Sequence, residues 1–196
     1  MPHRRADVQR QTNETDIHLT LSLDGTGQYE IATGVGFFDH MLTHLAKHGK
    51  FDLTVQARGD LQVDQHHTVE DVGIVLGQAL VQALGDKRGI ARFGEATAPM
   101  DEALVAAVID LGGRPYLEFG LDIPAEKVGD FDTELTREFF LAVCNQAGMN
   151  LHLRQQAGIN SHHIIEAAFK AFARALDQAT RRDEREIGVP STKGTL

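Results

Sequence analysis

Apolar and polar residues alternate over residues 15–35, which is the pattern of β-strands with one buried face. Positions 17, 19, 21 and 23 are apolar, the turn residues Asp24-Gly25-Thr26-Gly27 follow, and Tyr29 and Ile31 resume the alternation. Residues 51–64 predict two further short strands, Leu53/Val55 and Leu61/Val63, on either side of Arg58-Gly59-Asp60. The first part of the chain therefore predicts a small sheet.

Helical periodicity follows in two segments of this first part. Residues 37–48 predict one helix, and residues 68–84 predict a longer one whose apolar positions recur at helical spacing. Gly85 ends the longer helix.

The same kinds of predicted strands and helices then appear again in the second part of the chain. Strands are predicted at 103–109 and 115–120, with Gly112-Gly113 as the turn between them, and again at 150–154. Helices are predicted at 133–147 and 162–180. A charged tail begins at Arg181.

This restart reflects an internal repeat. The string HHTVE at residues 66–70 recurs as HHIIE at 162–166, an offset of 96 (162 − 66), and both copies follow a strand and open a helix. The same offset aligns Ala79, Leu80 and Ala83 with identical residues. We therefore predict an α/β fold of the two-layer α+β kind, made of two similar half-domains, 1–92 and 93–196. Each half is expected to be a small mixed sheet covered on one face by helices.

The repeated string has the composition of a metal site. Adjacent histidines at a strand-to-helix junction point in different directions, so one His-His-x-x-Glu motif can supply ligands to two metal ions. Imidazole and carboxylate suit Mn²⁺, Fe²⁺ or Zn²⁺, and no thiolate lies nearby to favour structural zinc. A single such pair is more often a surface feature. Two copies at equivalent positions favour metal binding.

The predicted helix 37–48 adds a stripe of three histidines, His40, His44 and His48, at i, i+4 and i+8. His40 follows Asp39, which could orient a ligand histidine, whereas His44 also fits a solvated helix face. Glu138 is the candidate counterpart of His40, because it lies 24 residues (162 − 138) before the second motif and His40 lies 26 (66 − 40) before the first. His152 is left open between a pocket residue and a core histidine.

Composition and charge narrow the class of protein. The chain has 196 residues and a net charge of −9, which disfavours nucleic acid as a partner. Its single cysteine, Cys144, excludes an internal disulfide framework and fits a reducing compartment. No apolar run is long enough to cross a membrane, and the N-terminal stretch lacks the apolar core of a signal peptide. We therefore expect a cytoplasmic protein with no membrane partner.

A few cations in an acidic chain suggest a small anionic ligand. The candidates are Arg92, Arg114, Lys170 and Lys193, and Ser191 and Thr192 beside Lys193 add hydroxyl and backbone donors suited to phosphate. Taken singly, each cation is more often an ordinary surface residue. No nucleotide-binding glycine motif is present.

Several long strings resemble one known family. They are FFDHMLTHLAKHG (37–49), DQHHTVEDVGIVLGQAL (64–80), MDEAL (100–104), GRP (113–115), LHLRQQAGINSHHIIEAAFKAFARAL (151–176) and PSTKG (190–194). In this order they resemble the imidazoleglycerol-phosphate dehydratase family of histidine biosynthesis, in its monofunctional form.

The resemblance implies a fold, an assembly and a set of site residues. It implies two duplicated α/β half-domains, two Mn²⁺ ions per active site and a 24-subunit homo-oligomer with sites between subunits. The implied metal ligands are His40, His66, His67, Glu70, His162, His163 and Glu166. Many members read E-H-F-F where this chain reads Arg137-Glu138-Phe139-Phe140, so Glu138 stands in the place of a ligand histidine and joins the candidate ligands.

The resemblance also implies the residues that handle the substrate. Phosphate would be held by Arg92, Arg114, Lys170, Ser191 and Lys193, with Thr192 and His48 placed beside them. Glu14 matches the acid/base glutamate of the family and would also touch the substrate, and Glu70 and Glu166 are grouped with it as catalytic carboxylates.

The implied reaction is the dehydration of D-erythro-imidazole-glycerol phosphate to imidazole-acetol phosphate. No carbonyl stabilises loss of the carbon-bound proton, so metals at the ring nitrogens would stabilise an imidazolate, Glu14 would move the proton, and hydroxide would leave through a diazafulvene-like intermediate. One alternative is a dinuclear phosphohydrolase, with metals about 3.5–4 Å apart. Another is a metal-storage assembly without catalysis, which would leave the phosphate cations without a role.

Overall fold

Two four-stranded sheets follow one another along the chain in the computed structural model, which describes residues 4–195. The first half comprises β1 (Arg5–Gln11), β2 (Thr15–Ser22), β3 (Tyr29–Ala32), α1 (Gly36–Gly49), β4 (Asp52–Gly59) and α2 (His66–Leu84). The second comprises β5 (Phe93–Met100), β6 (Ala103–Asp110), β7 (Tyr116–Gly120), β8 (Lys127–Val128), β9 (Phe131–Asp132), α3 (Leu135–Ala147), β10 (Asn150–Ala157) and α4 (Ser161–Thr180).

The two sheets have the same topology. The first has the order β1-β2-β4-β3 and the second β5-β6-β10-β7. In each sheet the first three strands in this order run antiparallel, and the last is parallel to its neighbour. The duplication of two mixed α/β halves predicted from the repeat is therefore confirmed, and only the short β8–β9 hairpin lacks a counterpart among the described residues.

The helices of both halves lie between the two sheets. Helix α2 packs on β1, β2 and β4 and also on α3, whereas α4 packs on β5 and β6 and also on α1. Each sheet is thus covered by helices on one face, and helices from opposite halves meet in the middle. One continuous cluster of buried apolar residues runs through both halves, so the halves bury each other's helices. The boundary after residue 92 stays a prediction.

Equivalent positions in the two halves can be assigned from the helix ends. Helix α1 is capped by Lys50 at φ 58° and α3 by Gly148 at φ 60°, both in the left-handed region. Their offset of 98 (148 − 50) also aligns the starts of β4 and β10, at Asp52 and Asn150. The offset is therefore 98 from α1 to β4 and 96 along α2, where the repeated motif lies.

Two small residues determine how closely α2 and α3 approach. A Cβ atom at Gly73 would lie 2.8 Å from the carbonyl oxygen of Phe139, and one at Gly77 would lie 2.9 Å from that of Val143. A step of four residues along α2, from 73 to 77, matches a step of four residues along α3, from 139 to 143. The two helices therefore run in the same direction. This register places the start of α2 beside the start of α3.

The sequence-based elements need three corrections. The second strand expected around Leu61 and Val63 is wrong, because β4 is one strand ending at Gly59 and both residues are exposed in the loop that follows. The edge strands β1 and β5 were missed. Each lies at the edge of its sheet, with one side unpaired. β5 contains one glycine, two alanines, one proline and few β-branched residues. Neither strand therefore shows strong alternation of apolar and polar residues.

Among residues 4–195, the helices are all too short or too polar to cross a membrane.

Candidate metal centre

Three predicted metal ligands converge where α1 meets the start of α4. His162 and Glu166 lie one turn apart on α4, and His40 faces them from α1. One ligating atom from each lies within 4.8 Å of the other two, and this is the single group of three such residues found in the described part of the chain. Two imidazoles and a carboxylate are a donor set for a borderline divalent metal ion.

The two carboxylate oxygens of Glu166 have different partners. Oε2 lies 3.2 Å from Nε2 of His162 and 3.3 Å from Nε2 of His40. Oε1 lies 2.6 Å from Nζ of Lys170 and 3.3 Å from Nε2 of His44. One oxygen therefore faces the candidate ligands, and the other faces a supporting lysine and histidine.

Glu166 is ionised although its side chain is only 6% exposed. Burial alone would raise its pKa, but the hydrogen bond from Lys170, together with the charge that His44 carries only in acid, outweighs burial and lowers the pKa to about 2. The carboxylate is thus available as a charged ligand across the physiological range.

His44 belongs to this cluster, which the sequence did not indicate. Its ring lies edge-on to that of His40, with centroids 4.5 Å apart, and stacks on His48 at 5.4 Å. Burial lowers the pKa of His44 to about 4, so the imidazole is neutral near pH 7. The only sequence signal was the spacing of four residues from His40, which a solvated stripe shares.

The second histidine of each motif has a fixed ring orientation. Nδ1 of His67 lies 3.0 Å from a carboxylate oxygen of Asp60, and Nδ1 of His163 lies 2.7 Å from one of Glu102. These contacts raise the pKa of both histidines, most through the hydrogen bond itself. A carboxylate on Nδ1 leaves Nε2 as the metal-binding nitrogen.

A second carboxylate faces each of these Nε2 atoms at the same distance. Glu14 lies 3.8 Å from Nε2 of His67, and Asp101 lies 3.8 Å from Nε2 of His163. The predicted acid/base residue therefore sits beside a predicted ligand. Asp60, Glu102 and Asp101 were missed by sequence reasoning, because Asp101 and Glu102 served only as part of the MDEAL string and Asp60 only as a turn residue.

The other predicted ligands do not join the group of three. His66 and Glu70 are 3.8 Å apart and both are about half-exposed, and Glu138 pairs with its neighbour Arg137 at 3.0 Å. Within the described chain, the eight predicted ligands thus divide into the α1–α4 group and separate pairs at the starts of α2, α3 and α4.

A cleft connects the α1–α4 group with the start of α2. Phe37, His40, Phe131 and His162 line it together with Gln65, the residue before His66. Phe37 lies edge-on to His162, with ring centroids 5.1 Å apart. The two halves therefore contribute neighbouring walls to one cleft.

The predicted phosphate residues are divided between two places. Lys170 lies in the Glu166 cluster, and His48 stacks nearby on His44. Arg92 instead forms two hydrogen bonds to Asp110, at 2.7 and 3.1 Å, and a third to the carbonyl of Pro190 at 2.8 Å. Arg92 thus holds the tail that contains Ser191, Thr192 and Lys193.

This tail lies at the far end of α4 from the metal ligands. The backbone N–H of Arg92 donates to the carbonyl of Ala179, which is 13 residues (179 − 166) after Glu166, or about 20 Å of helix. Arg114 follows the turn after β6 and its carbonyl accepts a hydrogen bond from Asn150. One chain alone does not bring Arg92 and Ser191 beside its own Glu166.

His152 lies on the outer face of the second sheet. Its neighbours Leu151 and Leu153 point into the core, and its ring lies 5.6 Å from that of Tyr116. It is neither a core histidine nor part of the clusters above.

Comparisons with known proteins agree on one family. Residues 33–176 match the family described as imidazoleglycerol-phosphate dehydratase. The protein of that name from Desulforamulus reducens is 59% identical over 196 residues, covering all of both chains. The one from Gloeobacter violaceus is 60% identical over 197 residues, again covering both chains completely.

Solved structures show the same fold. The imidazoleglycerol-phosphate dehydratase of Staphylococcus aureus superposes with a TM-score of 0.83 at 43% identity, covering 91% of this chain and 99% of that one. The Pyrococcus furiosus enzyme, solved in complex with (S)-C348, gives a TM-score of 0.84 at 38% identity, covering 96% and 100%.

Proposed function

This chain belongs to the imidazoleglycerol-phosphate dehydratase family, and from that premise we propose that it acts with two Mn²⁺ ions per active site. The family activity is that of a hydro-lyase of histidine biosynthesis. The observation that carries the metal proposal is the convergence of His40, His162 and Glu166 within 4.8 Å. The substrate is a phosphorylated imidazole, so both a metal centre and a phosphate site are required.

The nitrogen and oxygen ligands support binding of a divalent ion at two kinds of site. His40, His162 and Oε2 of Glu166 offer nitrogen and oxygen ligands around one point. His67 and His163 each have Nδ1 held by a carboxylate and Nε2 directed away from it. We assign His66, Glu70 and Glu138 to the same metal centres as further ligands.

The proposed mechanism gives Glu14 the proton transfer. Metal ions held by these histidines and carboxylates would supply stabilisation of negative charge on the imidazole ring of the substrate. Glu14, at 3.8 Å from Nε2 of His67, would remove the proton from the hydroxyl-bearing carbon one position further from the ring. The hydroxyl group on the carbon attached to the ring leaves through a diazafulvene-like form of the substrate, and with the proton it is lost as one molecule of water. The enol formed between the two carbons then becomes the ketone.

We propose that neighbouring copies complete the site, in an assembly of 24 subunits in the cytoplasm. The supporting observation is the separation of about 20 Å along α4 between Glu166 and the Arg92–Pro190 contact. A phosphate group held by Arg92, Arg114, Ser191, Thr192 and Lys193 of one copy would need metal ligands from another. Lys170 and His48 would lie on the metal side.

The deciding experiment is turnover of imidazoleglycerol phosphate by metal-stripped protein, with and without added Mn²⁺. We expect imidazole-acetol phosphate to form only after Mn²⁺ is restored. Release of inorganic phosphate instead would favour the dinuclear hydrolase. Binding of Mn²⁺ without turnover of any kind would leave only the metal-storage alternative.

A further inference from the structure

We infer that His44 is a positioning residue that holds the Glu166 carboxylate so that only Oε2 is presented to a metal ion. The inference rests on the proposed metal function of His40, His162 and Glu166. It concerns a residue outside the ligand set.

The two oxygens of the Glu166 carboxylate have separate sets of neighbours. Nε2 of His44 lies 3.3 Å from Oε1, which also accepts a hydrogen bond from Lys170 at 2.6 Å. Both ligand histidines lie on the Oε2 side. With Oε1 hydrogen-bonded to Lys170 and in contact with the ring of His44, the carboxylate cannot rotate freely, so Oε2 keeps a fixed direction.

His44 is more buried than the two ligand histidines. Its side chain is 15% exposed, whereas those of His40 and His162 are 47% and 40% exposed. His44 therefore lies on the buried side of the Glu166 carboxylate, and His40 and His162 lie on its more exposed side. Its ring is held between His40 and His48, which fixes the direction of Nε2.

The duplicated half provides an internal comparison. By the offset of 98, the counterpart of His44 is Ala142, and by the offset of 96 that of Lys170 is Ile74. The counterpart of Glu166 is Glu70, which is 45% exposed and lies 3.8 Å from its nearest histidine. Where the supporting donors are absent, the carboxylate is exposed and no group of three ligands forms among the described residues.

The charge balance of the cluster agrees with this assignment. Lys170 supplies the positive charge opposite Glu166 at 2.6 Å, and His44 adds a second polar contact to the same oxygen at 3.3 Å. Once Nε2 of His40 binds a metal, Oε1 is the acceptor that remains for the N–H of His44, although the two nitrogens lie 3.2 Å apart.

The test is Mn²⁺ titration of the full, assembled chain, followed by electron paramagnetic resonance. His44→Leu should weaken Mn²⁺ binding by about 10- to 100-fold, whereas His44→Gln, which keeps an N–H donor, should recover most of the loss. His18→Leu is the matched control, because His18 pairs with Asp7 on the outer face of β2. It should leave Mn²⁺ binding unchanged.

Metal-free melting separates this role from a structural one. We expect His44→Leu to melt within about 4 °C of the unmodified chain, since it replaces a mostly buried neutral imidazole with an apolar side chain. Unchanged Mn²⁺ binding in His44→Leu would overturn the inference. So would equal losses in His44→Leu and His44→Gln with one fewer nitrogen coupled to Mn²⁺, because His44 would then be a ligand itself.

Failure of the proposed function would look different. If the unmodified chain bound no Mn²⁺, the metal proposal would fall first and this inference with it. If the unmodified chain bound Mn²⁺ and turned over substrate while His44→Leu behaved identically, only the inference about His44 would fail.

Discussion

Lys50 and Gly148 end equivalent helices in the same left-handed conformation, at φ 58° and 60°. This conformation costs a lysine roughly 1–2 kcal/mol and costs a glycine nearly nothing. Lys50→Gly should therefore stabilise the protein by about 0.5–1 kcal/mol, after the greater chain entropy of glycine is subtracted. Chemical denaturation of the metal-free protein measures the difference.

The reverse substitution is the matched control. Gly148→Lys should destabilise the protein by more than Lys50→Gly stabilises it, because a Cβ atom there would also lie 3.1 Å from the carbonyl oxygen of Gly113. Equal stability of Gly148→Lys and the unmodified chain would contradict this account of the two helix ends.

Because α2 and α3 pack closely, adding a single methyl group at Gly73 should destabilise the protein. In Gly73→Ala the new Cβ would lie 2.8 Å from the backbone oxygen of Phe139, so the helices must separate, at a cost of about 1–3 kcal/mol. Gly36→Ala is the control, since nothing lies within 4 Å of a Cβ atom there. Thermal melting should distinguish the two, and a similar effect of both would disprove the packing argument.

Removal of the acid/base carboxylate should affect turnover more than metal binding. We expect Glu14→Gln to lower kcat by about 10²–10⁴-fold, with Mn²⁺ uptake retained because the side chain stays polar and of equal size. Steady-state kinetics on the Mn²⁺-loaded enzyme is the measurement. Full turnover by Glu14→Gln would remove this residue from the mechanism.

The ionisation of Glu166 predicts how acid affects the metal-free protein. Its pKa is lowered to about 2 in the folded chain, below its ordinary value, so its contribution to stability is present above about pH 4.5 and is lost as the pH falls towards 2. The unmodified chain should be more stable than Glu166→Gln by up to about 3 kcal/mol at pH 7.

The pH dependence is the part of this prediction that identifies the cause. Urea denaturation of both proteins between pH 3 and pH 7 should show the difference shrinking at the acid end. A difference that stays constant across that range would mean that the loss comes from packing and not from the charge of Glu166.

The sequence predicted what depends on spacing along one element. The repeated His-His-x-x-Glu string revealed the duplication, and residues four apart on a helix share a face, so the spacing alone pairs His162 with Glu166. Alternation found the interior strands and also the edge strands β3 and β7. It failed at β1, which has only two apolar residues, and at β5, which is rich in small residues and proline.

Only the tertiary structure decided which elements meet. His40 joins Glu166 because α1 packs on α4, and His44 falls beneath the carboxylate because of the angle and depth of that packing. Likewise Arg92 engages Asp110 and the tail, far along α4 from the metal ligands. The physical reason is that helical and strand periodicity fix relative positions within an element, whereas contacts between elements arise from the burial of whole apolar faces, which no local spacing records.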